Sequence, residues 1–308
     1  MGRGAGRPCR PARPGGAVML SYQHEYHAGN HADILKHICL TLILRALCQK
    51  EKPFTVIDSH AGAGRFLLDD ERLLRTGEAA AGILRLQEHC GTGIAVPPGV
   101  ADYLAAESPY LARRMYAGSP ELTRLFLRPG DRHIAVERHP QAAVALRANL
   151  AQPLLAAQGF AEAAVRTELR EEDSYSALRA LTPPPVKRGL VLCDPSYEDS
   201  SDYRQVTETL KLVHRKWNTA IIALWYPLLV RRKNETAQML TALQDEAKLG
   251  TMPAESFCCE LAVRPAESMA QAAGAHLYGS GMLVINPPWH VREKLEEAAA
   301  FLRGCLAT

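Results

Sequence analysis

The sequence predicts an α/β domain built on a largely parallel sheet, and three observations carry that prediction. Short apolar runs rich in β-branched residues recur seven times along the chain. Alanine-, leucine- and arginine-rich stretches with helical spacing separate most of them. The first run halts at a glycine-rich turn, the pattern of a buried strand feeding a tight loop.

Taken in order, a polar, histidine-rich segment after Met19 (LSYQHEYHAGNHADILKH) runs into LILRALCQK, whose spacing predicts a helix over about 31–50, ended by Pro53. FTVID (54–58) is the first strand and stops at Ser59-His60-Ala61-Gly62-Ala63-Gly64, a turn expected to open a helix. HIAVE (133–137), VRTEL (165–169), GLVLCD (189–194) and TAIIALWY (219–226) follow as strands, with helices over 140–150 and 203–216 between them. SFCCELAV (256–263) and GMLVIN (281–286) have too short a linker for a crossover helix and read as an antiparallel pair at the end of the sheet.

One interval is out of scale. A dinucleotide-type unit places an acid about 20 residues beyond the glycine turn, yet 79 residues separate Asp58 from Glu137. A helical insertion over about 66–117, a lid or substrate-contact subdomain, accounts for the excess.

The 308 residues carry 36 Lys and Arg against 33 Asp and Glu, a net charge of +3. That balance excludes a histone-like or disordered chain, so any nucleic-acid binding must come from a local patch. The surplus lies in residues 1–18, where Arg3, Arg7, Arg10 and Arg13 occur without an acid; the remaining 32 basic and 33 acidic residues give −1. This Gly/Pro/Arg stretch reads as a disordered leader or a mis-assigned start, with residues 19–308 forming the domain. The apolar run 219–230 is too short and proline-broken to span a bilayer. Eight cysteines without a CxxC pair or an export signal read as reduced cytoplasmic thiols.

Acids end successive strands: Asp58, Glu137, then Asp173 just past the third. In a parallel sheet those ends share the edge where ligands bind, and a strand-end acid there can accept from ribose hydroxyls. The GxGxxG and GxxxxGK[ST] spacings are missing, which disfavours a phosphate cradle. After the fourth strand comes Asp194-Pro195-Ser196-Tyr197. An acid and a prolyl carbonyl can accept the two hydrogens of an exocyclic amine while an aromatic ring stacks on the base, the needs of an extruded adenine. On its own the tetrapeptide equally suits a strand-to-turn connection.

That tetrapeptide is similar to the [DNS]-P-P-[YFW] motif of S-adenosylmethionine-dependent amino-methyltransferases. With LSYQHEYHAGNHADILKH, DSHAGAGR, AGSPEL, ALWYP and SGMLVINPPW, the chain from about Met19 onward resembles the bacterial 23S rRNA (adenine-N6)-methyltransferases of the RlmJ type. The resemblance implies a Rossmann-like class I methyltransferase fold, a mostly parallel seven-stranded sheet with its last strand antiparallel, and a small helical subdomain at 66–117. It implies S-adenosylmethionine as methyl donor, bound by His37, His60, Ser119, Glu137, Asp173, Ser174 and Asp194, with Asp194 also the catalytic acid. Tyr22, Pro195 and Tyr197 would meet the substrate, with Lys36 beside them. The implied substrate is the N6 amine of adenine 2030 in 23S rRNA, modified before the ribosome is fully assembled, by a monomer in the cytoplasm with no metal and no membrane. DNA adenine, protein glutamine, or a non-catalytic RNA-binding role on a degenerate site are the other readings.

Two departures bear on the last of these. Ser196 replaces the usual second proline and loosens the loop; Ser174 replaces a usual glycine and is strained if that position needs positive φ. Asn286-Pro287-Pro288-Trp289 fits the amino-methyltransferase pattern better than residues 194–197, but an antiparallel last strand ends at the opposite edge, so it is read as structural, with Trp289 packing or capping the sheet. His24, His27, His31 and His37 lack a metal framework. Arg113-Arg114, Lys187-Arg188 and Arg231-Arg232-Lys233 are solvated faces or phosphate contacts, and clustering on a surface would decide which.

Overall fold

The central strands bury both faces, which is why they read as unbroken apolar runs. In the computed structural model, which describes residues 27–155, 167–249, 252–266 and 277–307, Val56, Leu190, Leu192 and Ala223 point to one hydrophobic layer and Ile57, Val191, Cys193 and Leu224 to the other. The strands are β1 (Thr55–Asp58), β4 (Arg132–Val136), β5 (Thr167–Arg170), β6 (Gly189–Cys193), β7 (Ile221–Leu229), β8 (Ser256–Ala262) and β9 (Leu277–Ile285). They form one sheet in the order β5-β4-β1-β6-β7-β9-β8. β5 through β7 are parallel, and β9 lies antiparallel between β7 and β8. The expected sheet is therefore present, with the last strand inserted one place in from the edge.

Pro227 inside β7 needs an explanation. β6 ends at Cys193, paired with Leu224, so Pro227 falls where that neighbour has stopped and pairs only towards β9. A strand proline is tolerated where one side lacks a ladder partner.

Helix α1 (His31–Cys48) is capped by the Asn30 side chain, which accepts the Ala32 and Asp33 N–H groups, and 14 of its 18 residues are buried. It lies between the sheet, α5 (Ser119–Phe126) and α10 (Val291–Leu306). The other layer consists of α7 (Ser174–Leu181), α8 (Ser200–Lys216) and α9 (Lys233–Leu249), while α6 (Pro140–Leu150) returns from β4 to β5.

The glycine turn does not open a helix. It leads into a short antiparallel pair, β2 (Arg65–Leu67) with β3 (Met115–Ala117), enclosing α2 (Glu71–Thr76), α3 (Arg85–Cys90) and α4 (Pro98–Leu111). The crossover helix from β1 to β4 is thus α5, displaced along the sequence by the insertion. The insertion's helices pack on α1 and α10 within the same hydrophobic layer, and of residues 66–117 only Phe66 lines the cavity described below. In this arrangement it is a buttress rather than a lid. The leader 1–18 lies outside the described residues. No described helix is long and apolar enough to cross a membrane.

Burial also sets the acid response of the fold. His133 is 1% exposed and its pKa is pushed down to about 3 by burial; burial likewise lowers His31 and His60, each to about 4. Below about pH 6.5 the unfolded chain takes up protons that these imidazoles refuse, so stability falls as pH falls. Asp58, raised to about 6 by burial, works in the opposite sense over pH 4–6, as do Glu107 and Asp202, also raised by burial, while burial lowers His214 like the other imidazoles. His133 alone is expected to remove about 1–2 kcal/mol between pH 6.5 and 5. Urea midpoints should fall over that range, and H133Q should flatten the profile.

Candidate active site

Parallel strands bring their C-terminal ends to one edge, and the acids that close them meet there. Asp58 ends β1, Glu137 follows β4, Asp173 is the N-cap of α7, and Asp194 follows β6. Glu137, Asp173 and Asp194 frame a cavity of about 480 Å³ that also takes in Lys36, His37, His60, Ser119, Ser174 and Pro195, while Asp58 is fully buried. Every donor-site residue expected from the sequence is therefore brought to one cavity.

Each is held by an identifiable contact. Gly62 and Gly64 adopt φ of 62° and 79°, a region where glycine alone is unstrained, and the Gly62 N–H donates to Glu137 Oε2 at 2.8 Å. The other Glu137 oxygen accepts the His139 N–H at 2.6 Å, so one carboxylate ties the β1 turn to the β4 turn. Gly118 is close-packed: a Cβ there would lie 3.0 Å from the Gly64 carbonyl oxygen and 3.1 Å from the Phe66 ring. Asp173 accepts the Ser176 N–H at 2.9 Å. His60 shares a 2.8 Å hydrogen bond with the Ser59 hydroxyl and, with its pKa depressed by burial, is neutral at pH 7. His37 Nδ1 bonds the Tyr116 hydroxyl at 2.7 Å, and Tyr116 meets Tyr103 at 3.1 Å. The insertion thus supplies the phenols that orient a cavity histidine.

The centre of the site is an ion-paired triad. Lys36, 3% exposed, donates to Asp33 Oδ1 at 2.7 Å and to Asp194 Oδ2 at 2.5 Å. Burial opposes its charge, and the Asp194 and Asp33 carboxylates outweigh that, holding the ammonium above its ordinary range. Asp58 lies fully buried behind them; burial pushes its carboxyl up to about 6 against the pull of Ser119, Lys36 and the His60 backbone, and neither oxygen has hydrogen-bond geometry to a described partner. Asp33 carries no motif. Asp58 is marked in the sequence as the acid that closes the first strand; the signal for Asp33 is a charge inside an otherwise apolar helix, which rarely stays buried without a role.

Several expectations need correction. Tyr197 does not face the cavity: it is 5% exposed, its hydroxyl donates to the Trp225 carbonyl at 3.0 Å, and its ring lies 4.7 Å from that of Tyr203. Its φ of 52° is uncommon for a bulky residue, so the loop after Asp194 is backbone-strained with Tyr197 as its anchor. Ser174 is the first residue of α7 and is not among the positive-φ residues; the strain foreseen there does not arise, because the helix start needs ordinary φ. Asn286 does hold the opposite edge, donating to the Asn218 and Ala220 carbonyls at 2.6 and 2.9 Å, but Trp289 is 86% exposed and caps nothing. Tyr22 lies outside the described residues. His27 bonds Glu78.

Six acids (Glu137, Asp173, Asp194, Glu198, Asp199, Asp202) and two cations line the cavity, and both cations face acids, Lys36 as above and Arg138 at 3.6 Å from Asp173. Such a site repels a polyphosphate and suits a nucleoside bearing positive charge. A seven-stranded sheet with this strand order and a strand-end site of this character define a class I methyltransferase. The chain belongs to the RlmJ family: the family model described as "Ribosomal RNA large subunit methyltransferase D, RlmJ" matches residues 51–308. It is 35% identical to "Ribosomal RNA large subunit methyltransferase J" of Escherichia coli K12 over 291 residues, 94% of each chain, and 34% identical to the protein of that name in Haemophilus influenzae over 292 residues, again 94% of each. A crystal structure of a Legionella pneumophila protein matches 91% of this chain and 94% of its own, with 29% identity and a TM-score of 0.75.

Proposed function

We propose that the chain transfers a methyl group from S-adenosylmethionine to the N6 amine of one adenine in 23S rRNA, acting as a cytoplasmic monomer on RNA not yet fully assembled into the subunit. The observation that carries this reading is the acidic cavity with Asp194-Pro195 at its rim. Sulfonium and ammonium charges are stabilised there, Glu137 and Asp173 can accept from hydroxyl and ammonium groups, His60, kept neutral by burial, adds a polar contact without positive charge, and His37 adds another.

When bound, S-adenosylmethionine supplies a methyl carbon already activated by the sulfonium. The residues of the chain do the rest. Asp194 and the Pro195 carbonyl accept the two amine hydrogens of an unstacked adenine, which favours tetrahedral nitrogen and frees its lone pair for attack. Asp194 then takes the proton that the amine loses. Lys36 fixes the Asp194 carboxylate from the protein side, leaving its remaining lone pairs for substrate. Tyr197 contributes by anchoring the loop.

A methyl-transfer assay with radiolabelled donor should give label in protein-free 23S rRNA, recovered as N6-methyladenine. Label in DNA or protein with none in rRNA would overturn the reading. Calorimetry showing no donor binding would overturn the cofactor assignment.

A further inference from the structure

The cavity that suits a cationic donor is hostile to a phosphate backbone, so an RNA substrate must deliver its base there while its phosphates bind elsewhere on the same edge. Of the three basic clusters in the sequence, the structure separates two from that edge. Arg188 lies at the start of β6, on the opposite edge, with its guanidinium spent on the Leu47 and Lys52 carbonyls. Arg114 pairs with Asp69 on the insertion. Arg231-Arg232-Lys233 follows the C-terminal end of β7, on the side of the sheet where Asp194 lies.

That end of the sheet is raised. Residues 225–229 of β7 continue past the last β6 pairing at Leu224, roughly 16 Å at about 3.3 Å per residue, and β9 and β8 rise with them. The result is a three-stranded wall beside the catalytic loop. At its tip Lys233 Nζ lies 5.9 Å from the centre of the Tyr278 ring, and the Tyr278 carbonyl accepts the Arg264 N–H at 3.2 Å. Arg231, Lys233 and Arg264 are all exposed, and among the described residues no carboxylate pairs with any of them, whereas Arg232 is paired with Glu235. Arg264 also acts electrostatically on His31 at the start of α1, the helix that carries Lys36. The tip of the wall thus stands near the start of that helix, where Glu78 also faces His31. Exposed Glu198 and Asp199 line the cavity mouth and repel phosphate from it, with Asp199 within electrostatic reach of Arg232.

We propose that this wall is the track for the RNA backbone, with Arg231, Lys233 and Arg264 gripping phosphates a few nucleotides from the target base while the base alone enters the acidic cavity. The proposal rests on RNA being the substrate.

The test is the triple variant R231A/K233A/R264A beside a control that removes three cations away from the edge, R113A/R114A/K187A. Affinity for a hairpin RNA and for protein-free 23S rRNA is measured by fluorescence anisotropy against salt, and methyl transfer is measured on the same RNAs. Three lost phosphate contacts should reduce the slope of log K against log salt by about 2–3 and raise KM for RNA about tenfold or more. kcat and donor affinity should be unchanged, and the control should match wild type. An unaltered salt slope in the triple variant, or an equal loss in the control, overturns the track. If wild type binds RNA through this wall yet methylates none, the functional reading fails and the track stands; if wild type methylates RNA and the triple variant is unchanged, the reverse holds.

Discussion

D194N is expected to abolish methyl transfer, with a fall on the order of 10³-fold or more in kcat, a smaller loss of donor affinity and the fold nearly intact. The carboxylate can both accept an amine hydrogen and take the proton, with the Pro195 carbonyl beside it for the other hydrogen. Asparagine keeps the shape and one acceptor but cannot take the proton, and it presents an NH₂ group that competes with the substrate amine for acceptors. Asp194 is only partly buried and its cation, Lys36, retains Asp33, so unfolding transitions should move little. Single-turnover transfer to 23S rRNA alongside donor calorimetry checks both halves; a kcat within tenfold of wild type would remove Asp194 from the chemistry.

K36M should cost both activity and stability. The ammonium is shared by two carboxylates in a buried setting, and deleting one partner of a buried ion pair leaves charge without compensation, about 3–5 kcal/mol. Asp33 would keep the Gly29 N–H at 3.0 Å. Transfer should fall about 100-fold or more, because Asp194 loses the contact that orients it. The double variant K36M/D33N separates the effects: removing the second buried charge should restore much of the denaturant midpoint and none of the activity. Recovery of both together would reduce Lys36 to a purely structural role.

The sequence was most legible where periodicity and burial coincide. All seven main strands lie within a few residues of their apolar runs, because both faces of each central strand are covered and the run stops where cover stops. The strand-end acids were legible for the same reason, since a parallel sheet turns sequence position into spatial position. The three-residue strands β2 and β3 were not, because three residues carry no period and their pairing depends on a return from far along the chain. Nor was the inward turn of Tyr197: a positive φ at a tyrosine is set by the loop around it. The Asp33–Lys36 pair was half visible, as charges on an apolar helix, but its role needed the helix to be laid against the end of β6.

The Gly118 N–H donates to the Gly64 carbonyl at 2.7 Å, so the chain leaves the cavity and returns to it through a closed neck. What lies between those two glycines is nevertheless packed on α1 and α10, so the part free to vary is its exposed loops, such as Gly91-Thr92-Gly93. Loop-closure entropy changes slowly with loop length. Those loops can be lengthened or redrawn while Gly64, Gly118 and Ser119 stay in place, provided that the packed helices are kept, with Tyr103 and Tyr116 to hold His37.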